Sequence, residues 1–157
     1  MPRVLALDYG ERRLGVAVGT TDIGVASGLP TIIHEGRKDL RRQLEAVMEE
    51  EAPELIVVGY PLLMDGSHGE RCEAVDAFAR YLTGWFGLPL VLRDERLTSV
   101  EAGRVRKEAG MSERDAREEG LIDRAAAILL LQNWFDSADR SGLSPGVTPA
   151  DREEDTR

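Results

Sequence analysis

Residues 3–19, RVLALDYGERRLGVAVG, decide the fold. Two short apolar segments, Val4–Leu7 and Leu14–Val18, flank a tight turn that contains Gly10. Segments of this kind on either side of a glycine-containing turn predict an antiparallel hairpin. The first segment ends on an acidic residue, Asp8, which would cost several kcal/mol if it were buried without a partner. Asp8 is therefore the first candidate for a functional residue.

Helical and strand patterns alternate after this hairpin. Ser67 and Glu70 form an S-x-x-E capping box, which predicts the start of the second of these helices. The predicted elements are, in order, strand Leu29–His34, helix 37–51, strand Leu55–Gly59, a helix from about Ser67, strand Leu90–Leu92, a helix from Thr98 to about Glu108, a short turn to Glu119 and a helix over Leu121–Phe135. This order predicts an α/β fold with a mixed five-stranded sheet and helices on both faces.

Length and composition indicate one globular domain. The chain has 157 residues, of which 42% are apolar and 31% charged. We expect the domain to span residues 1–136 and the polar, Pro- and Gly-rich residues 137–157 to form a disordered tail. No apolar segment approaches the ~20 residues of a membrane span, and the N-terminus lacks a signal-peptide pattern. Together with a single cysteine, Cys72, these features favour a cytoplasmic protein without a membrane partner.

The charge pattern leaves a nucleic-acid partner open. A net charge of -9 argues against a broad surface for phosphates. However, the basic residues concentrate in three short blocks, at 12–13, 37–42 and 93–107, and local patches decide where a polyanion binds. Only eight aromatic residues are present, so we expect no stacking platform for single strands. Tyr9 and Tyr60 are the two aromatic residues placed to meet a base.

Three carboxylates are predicted to converge at one edge of the sheet. Asp8 and Glu95 come where strands end, and the carboxyl ends of parallel strands share an edge. On a helical wheel, Asp123 lies in the middle of the apolar stripe of the last helix, at its N-terminal end. Three acids cannot all stay ionised there without a counter-charge, and Mg²⁺ or Mn²⁺ suits oxygen ligands. The alternative for each acid is a capping role or an ion pair with a nearby arginine, such as Arg93.

Four blocks of sequence carry a resemblance to a known family. They are LALDYGERRLGVAVG, VVGYPLLMDGS, DERLTS and IDRAAAILLLQ, in that order over residues 3 to about 136. The chain resembles the YqgF/RuvX family of bacterial Holliday-junction-resolvase-like or pre-16S rRNA nucleases. The resemblance implies a ribonuclease H-like fold and an endonuclease that depends on Mg²⁺ or Mn²⁺ and leaves a 5′-phosphate and a 3′-hydroxyl. It also implies that Asp8, Glu95 and Asp123 are the catalytic residues and metal ligands.

The implied substrate is a structured RNA precursor, as in ribosome biogenesis, or branched DNA. The family loop usually reads G-L-P-x-N-M-D-G, whereas here Tyr60 replaces the leucine and Leu63 the asparagine. The candidate substrate contacts are Gly10, Arg12, Arg13, Tyr60, Asp65, Arg96, Arg104 and Lys107. The alternatives are a turn role for Asp65, arginines that hold the carboxylates in place, and a solvated helix face for Arg104 and Lys107.

Two other functions fit the same residues. The D-x-G-x-x-x-x-G pattern of residues 8–15 is also how actin-like and sugar-kinase-like folds hold phosphates, which suggests a small ATP-binding or phosphotransfer domain. A non-catalytic nucleic-acid binder that keeps its acids for structure is the third possibility. The chain is expected to be a monomer or a homodimer, and a two-fold dimer would suit a junction substrate.

Overall fold

The computed structural model describes residues 2–95, 121–137 and 140. Its elements are β1 Arg3–Tyr9, β2 Arg13–Thr20, β3 Ser27–Ile33, α1 Arg37–Glu51, β4 Leu55–Tyr60, α2 Glu70–Phe86, β5 Leu90–Asp94 and α3 Leu121–Asp136. The predicted order of these elements is confirmed. The predicted helix from Thr98 and the turn to Glu119 lie outside the described residues, as does most of the predicted tail. In the described part of the chain, no helix has both the length and the apolar character needed to cross a membrane.

The five strands form one mixed sheet in the order β3-β2-β1-β4-β5. Strand β1 runs antiparallel to β2 and parallel to β4, and β4 runs parallel to β5. The backbone N–H of Gly10 donates to the Arg13 carbonyl at 2.8 Å and closes the predicted hairpin. This topology places the carboxyl ends of β1, β4 and β5 at one edge of the sheet, next to the hairpin turn.

The two faces of the sheet pack against different helices. Side chains alternate along β1, so that Leu5 and Leu7 join a core with α1 and α2, whereas Val4 and Ala6 join a core with α3. Helices on both faces are therefore confirmed. Asp8 has the same parity as Ala6, which puts its side chain on the face covered by α3.

The predicted start of α2 is wrong. The helix begins at Glu70 with Gly69 as its N-cap, and no side chain caps it. The Oδ1 atom of Asp65 accepts hydrogen bonds from both the backbone N–H and the hydroxyl of Ser67, at 2.9 and 2.6 Å. Because this local turn occupies Ser67, its hydroxyl does not cap a helix.

Candidate active site

A cleft of about 610 Å³ opens at the edge where β1, β4 and β5 end. All three predicted catalytic acids line it, and so do several arginines. Its charged residues are Asp8, Glu11, Arg12, Arg13, Arg71, Glu95 and Asp123. The topology thus brings together acids that lie 87 and 28 residues apart in sequence, from Asp8 to Glu95 and from Glu95 to Asp123.

The carboxyl groups of Asp8 and Glu95 form a close pair. Burial raises the pKa of Asp8 well above its ordinary value, and the charge of Glu95 and a hydrogen bond with it raise the pKa further; Arg71 acts weakly in the opposite direction. Within the described residues, no arginine forms an ion pair with either acid. Asp8 therefore favours its protonated, neutral form unless another positive charge enters the cleft.

A glycine makes room for Glu95, which is 5% exposed. Its Oε2 atom would lie 2.3 Å from a Cβ atom placed on Gly59 of β4, so a side chain at position 59 would displace the carboxylate. The backbone N–H of Glu95 donates to the carbonyl of Tyr60 at 3.3 Å. Strand β4 thus fixes both the backbone and the carboxylate of the residue that follows β5.

Asp123 lies in the first turn of α3 and is half-buried in the cleft. Its backbone carbonyl oxygen would lie 2.0 Å from a Cβ atom on Gly15 of β2, so the helix N-terminus rests directly on the sheet. The apolar stripe predicted around Asp123 is confirmed, since its members Ala126, Ala127, Leu130, Leu131 and Trp134 are buried. The positive end of the helix dipole favours an acid at this position.

The acids do not by themselves make a complete metal site. Among the described residues there is no group of three or more acids, histidines or cysteines arranged to hold an ion. The close pair is Asp8 and Glu95, and Asp123 faces the same cleft as a third acid. All the candidate ligands are carboxylate oxygens, the type that hard divalent cations prefer.

The cleft also holds positive charge on the side of the hairpin turn. Arg13 has a buried Nη1 atom without a hydrogen-bond partner among the described residues, and Arg12 is exposed beside it. Arg71 was missed by the sequence analysis. Its signal was available, because a basic residue in the first turn of α2 opposes the helix dipole and therefore calls for another role.

Two of the predicted substrate contacts, Tyr60 and Asp65, do not line the cleft. Tyr60 was expected in a loop, but it is the last residue of β4 and is 0% exposed; its hydroxyl donates to Asp76 at 3.2 Å. A base cannot contact Tyr60 there, so that prediction is wrong. Asp65 holds its own turn and does not line the cleft, as the turn interpretation expected. The other basic candidates, Arg96, Arg104 and Lys107, lie outside the described residues.

Comparison with known proteins identifies relatives of this chain. The family model described as "RuvX: Holliday junction resolvase" matches residues 2–137. A protein of Nitrosospira multiformis named "Putative pre-16S rRNA nuclease" is 39% identical over 132 residues, which cover 84% of this chain and 86% of the relative. A protein of Pseudomonas fluorescens with the same name is 41% identical over 133 residues, which cover 85% and 91% of the two chains.

Two solved structures share the fold. RuvC of Thermus thermophilus, in complex with a Holliday junction substrate, superposes with a TM-score of 0.51 at 17% identity and covers 86% of this chain and 94% of its own. The Fowlpox virus resolvase, in complex with Holliday junction DNA, gives a TM-score of 0.54 at 10% identity and covers 85% and 97%. At such low identity the likeness shows the ribonuclease H-like fold alone. On the family match and the close relatives, the chain belongs to the RuvX family.

Proposed function

We propose that this protein is a metal-dependent endonuclease that hydrolyses phosphodiester bonds in a structured nucleic acid, a pre-16S rRNA or a Holliday junction. The observation that carries the proposal is the paired, buried carboxyls of Asp8 and Glu95 in a cleft that they share with Asp123. Burial and the neighbouring Glu95 oppose ionisation of Asp8, and a cation in the cleft would favour it. The names of the family and of the close relatives point to the same class of reaction.

The residues present fit a divalent cation. Mg²⁺ is usually held by one or two protein carboxylates, with water and substrate phosphates completing its coordination. The close pair of Asp8 and Glu95 is a donor set of this kind. Asp8 and Glu95 would hold the ion, and Asp123 would face it across the cleft. When bound, Mg²⁺ or Mn²⁺ would supply a nucleophile at neutral pH and stabilise charge on the phosphate.

The arginines give the cleft positive charge that complements the negative charge of a phosphodiester. Arg13 has one buried guanidinium nitrogen available as a donor, and Arg12 and Arg71 stand on the rim. Guanidinium groups form paired hydrogen bonds with phosphate oxygens, which would hold the scissile group in line with the acids. Gly10 brings the backbone of the turn to the same wall of the cleft. These contacts position the phosphate, whereas the carboxylates carry the chemistry.

Cleavage by the purified full-length chain tests the proposal. The substrates are a four-way DNA junction and a precursor 16S rRNA, each with Mg²⁺, with Mn²⁺ or with EDTA. We expect cleavage of at least one substrate with a divalent ion, none with EDTA, and loss of cleavage in Asp8→Asn, Glu95→Gln and Asp123→Asn. The matched control is Glu11→Gln, because Glu11 is an exposed acid of the same cleft that holds no ion in this proposal.

Each other outcome contradicts the proposal and indicates one of the alternatives. Binding of either substrate without cleavage under any metal condition would indicate a non-catalytic nucleic-acid binder. Hydrolysis of ATP, or thermal stabilisation by ATP without any nuclease activity, would indicate the phosphotransfer alternative. Equal losses in Glu11→Gln and Asp8→Asn would show that general cleft charge, rather than a specific ion site, governs the reaction.

A further inference from the structure

A second cavity lies beside the cleft, on the face of the sheet covered by α1 and α2. We call it the aromatic pocket; its volume is about 310 Å³, and its aromatic lining consists of Tyr9, His34, Phe78, Tyr81 and Trp85. The Tyr9 ring stacks on Phe78 with centroids 4.3 Å apart, and Tyr81 stacks on Trp85 at 5.7 Å. Ala74 and Ala77 of α2 also line the pocket, and their small side chains leave its space open.

His34 connects the aromatic pocket to the cleft. Its backbone N–H donates to the carbonyl of Arg12 at 2.9 Å, and its Nε2 atom lies 3.2 Å from the carbonyl oxygen of Gly10. Both partners belong to the hairpin turn that lines the cleft. In addition, Tyr9 directly follows Asp8 in β1, and Glu11 lines both cavities. A ligand that occupies the cleft would therefore have the pocket as its immediate neighbour.

The His34 ring offers an unused polar atom. It is 4% exposed, and its Nδ1 atom is buried without a hydrogen-bond partner in the described part of the chain. Because a carbonyl can only accept, Nε2 must be the donor to Gly10, which leaves a lone pair on Nδ1 of the neutral ring. A buried acceptor without a donor is costly, and because Nδ1 has almost no accessible surface, a bound molecule would reach it only if the ring turned.

Two arginine side chains of α1 lie against the aromatic rings of α2. The Arg37 guanidinium lies 4.4 Å from the centroid of the Tyr81 ring, and the Arg41 guanidinium lies 5.7 Å from that of Trp85. Arg41 also pairs with Glu45 at 2.9 Å, but Arg37 forms no ion pair within the described residues. The pocket thus combines flat apolar walls with a cation at its edge, a pattern suited to a base attached to a phosphate.

We propose that the aromatic pocket receives one unpaired nucleobase of the substrate while an adjacent phosphate lies in the carboxylate cleft. This inference rests on the proposed function, because it assumes a nucleic-acid substrate. The aromatic walls stack on the faces of the base, and Arg37 contacts the backbone. A base within a duplex is stacked and paired, so only an extruded or single-stranded nucleotide can enter. The pocket would direct cleavage to loops, bulges or branch points.

The test compares two nucleic acids that differ only in whether one position carries an unpaired base. We would measure binding by fluorescence anisotropy in EDTA, with labelled RNA and DNA stems that carry either one unpaired adenine or an abasic residue. Loss of one stacked base should weaken binding by the wild-type chain about fivefold or more. Ala77→Leu, which fills the pocket, should weaken binding of the adenine stem by a similar factor and leave binding of the abasic stem unchanged.

Two control variants match the substitutions. Thr83→Leu adds the same side chain at an exposed position of α2 outside the pocket, and Arg80→Ala removes an exposed arginine of α2 for comparison with Arg37→Ala. Neither control should alter the preference for the adenine stem. Arg37→Ala should weaken binding of both stems, because its contact is with the backbone.

Equal binding of the two stems by the wild-type chain would overturn the pocket proposal, as would an equal effect of Ala77→Leu on both. Competition by free AMP as effective as that by the adenine stem would also overturn it and indicate a mononucleotide site. The proposed function is judged separately. Cleavage of the junction or precursor without base preference rejects only the pocket, whereas base preference without any cleavage rejects the nuclease.

Discussion

The two faces of the sheet are built from side chains of different size. On the face of α3 the strands carry small residues, including Ala6, Gly15 and Ala17, and the helix backbone approaches them closely. On the opposite face they carry Leu5, Leu7 and other large residues that hold α1 and α2 at a greater distance through side-chain packing. The acids belong to the first face and the aromatic pocket to the second.

This difference explains what each face can do. Close backbone contact leaves few arrangements for α3, so the cleft acids are held in fixed relative positions. Packing through large side chains permits gaps between α1 and α2, and the aromatic pocket is one of them. Precise placement of charge thus comes from the face of small residues, and the open apolar pocket comes from the face of large ones.

The largest effect is expected at the carboxylate pair. Asp8→Asn should lower the cleavage rate by about 10³-fold or more, equivalent to roughly 4 kcal/mol of transition-state stabilisation. The variant should still fold, because an amide fits the same space and removes like charge next to Glu95. Cleavage assays with Mn²⁺ and thermal unfolding measure the two effects. Full activity of this variant would contradict a catalytic role for Asp8 and thus for the α3 face of the sheet.

A core substitution on the opposite face should separate stability from chemistry. Leu44 of α1 is fully buried, and Leu44→Ala should lower the free energy of unfolding by about 2–5 kcal/mol through lost contacts and a cavity. At a temperature where the variant is folded, its cleavage rate per folded molecule should match the wild type. Urea unfolding and kinetics together test this. A rate loss as large as that of Asp8→Asn would show that the α1 side also fixes the acids.

Substitution at the close contact between β2 and α3 should lower both stability and the cleavage rate. Gly15→Ala places a methyl group against the carbonyl of Asp123, and this overpacking should cost about 1–3 kcal/mol of stability. Cleavage should fall as well, because α3 must move and takes Asp123 with it. The control is Gly84→Ala in α2, where a Cβ meets no atom within 4 Å and the helix should gain about 0.5–1 kcal/mol. Unchanged cleavage in a folded Gly15→Ala would argue against the role of this contact.

The smallest effect is the pH dependence of stability that Asp8 contributes. The pKa of Asp8 is raised above its ordinary value of 3.8 by burial and by Glu95, so the folded state favours the protonated form. The contribution of Asp8 to the stability of the wild type should therefore fall as pH rises from about 4 through the raised folded-state pKa. Asp8→Asn should be more stable by about 0.5–2 kcal/mol at pH 7 and equal to the wild type at acid pH. Unfolding measured between pH 3 and 8 tests this, and a gain independent of pH would contradict it.

Parts of the site could be predicted because they depend on local patterns. The strand end at Asp8, the position of Glu95 after a short apolar strand and the wheel position of Asp123 all follow from spacing and polarity. Tyr60 could not be placed in this way. An apolar strand and a following loop differ little in sequence at their junction, and only the pairing of Tyr60 with Asp94 of β5 shows that Tyr60 continues the strand.

The sequence by itself determined the order of the described elements, the mixed sheet and the three acids at one edge, because hydrophobic periodicity and the carboxyl ends of strands are local or topological properties. The family followed from the resemblance of four sequence blocks. Only the tertiary structure decided that the carboxyl groups of Asp8 and Glu95 lie in contact, that Arg71 enters the cleft and that scattered aromatic residues meet in one pocket. Those features depend on short contacts between segments that are distant in sequence. Gly15 and Gly59, which have no side chain, allow α3 and the Glu95 carboxylate to approach the sheet closely.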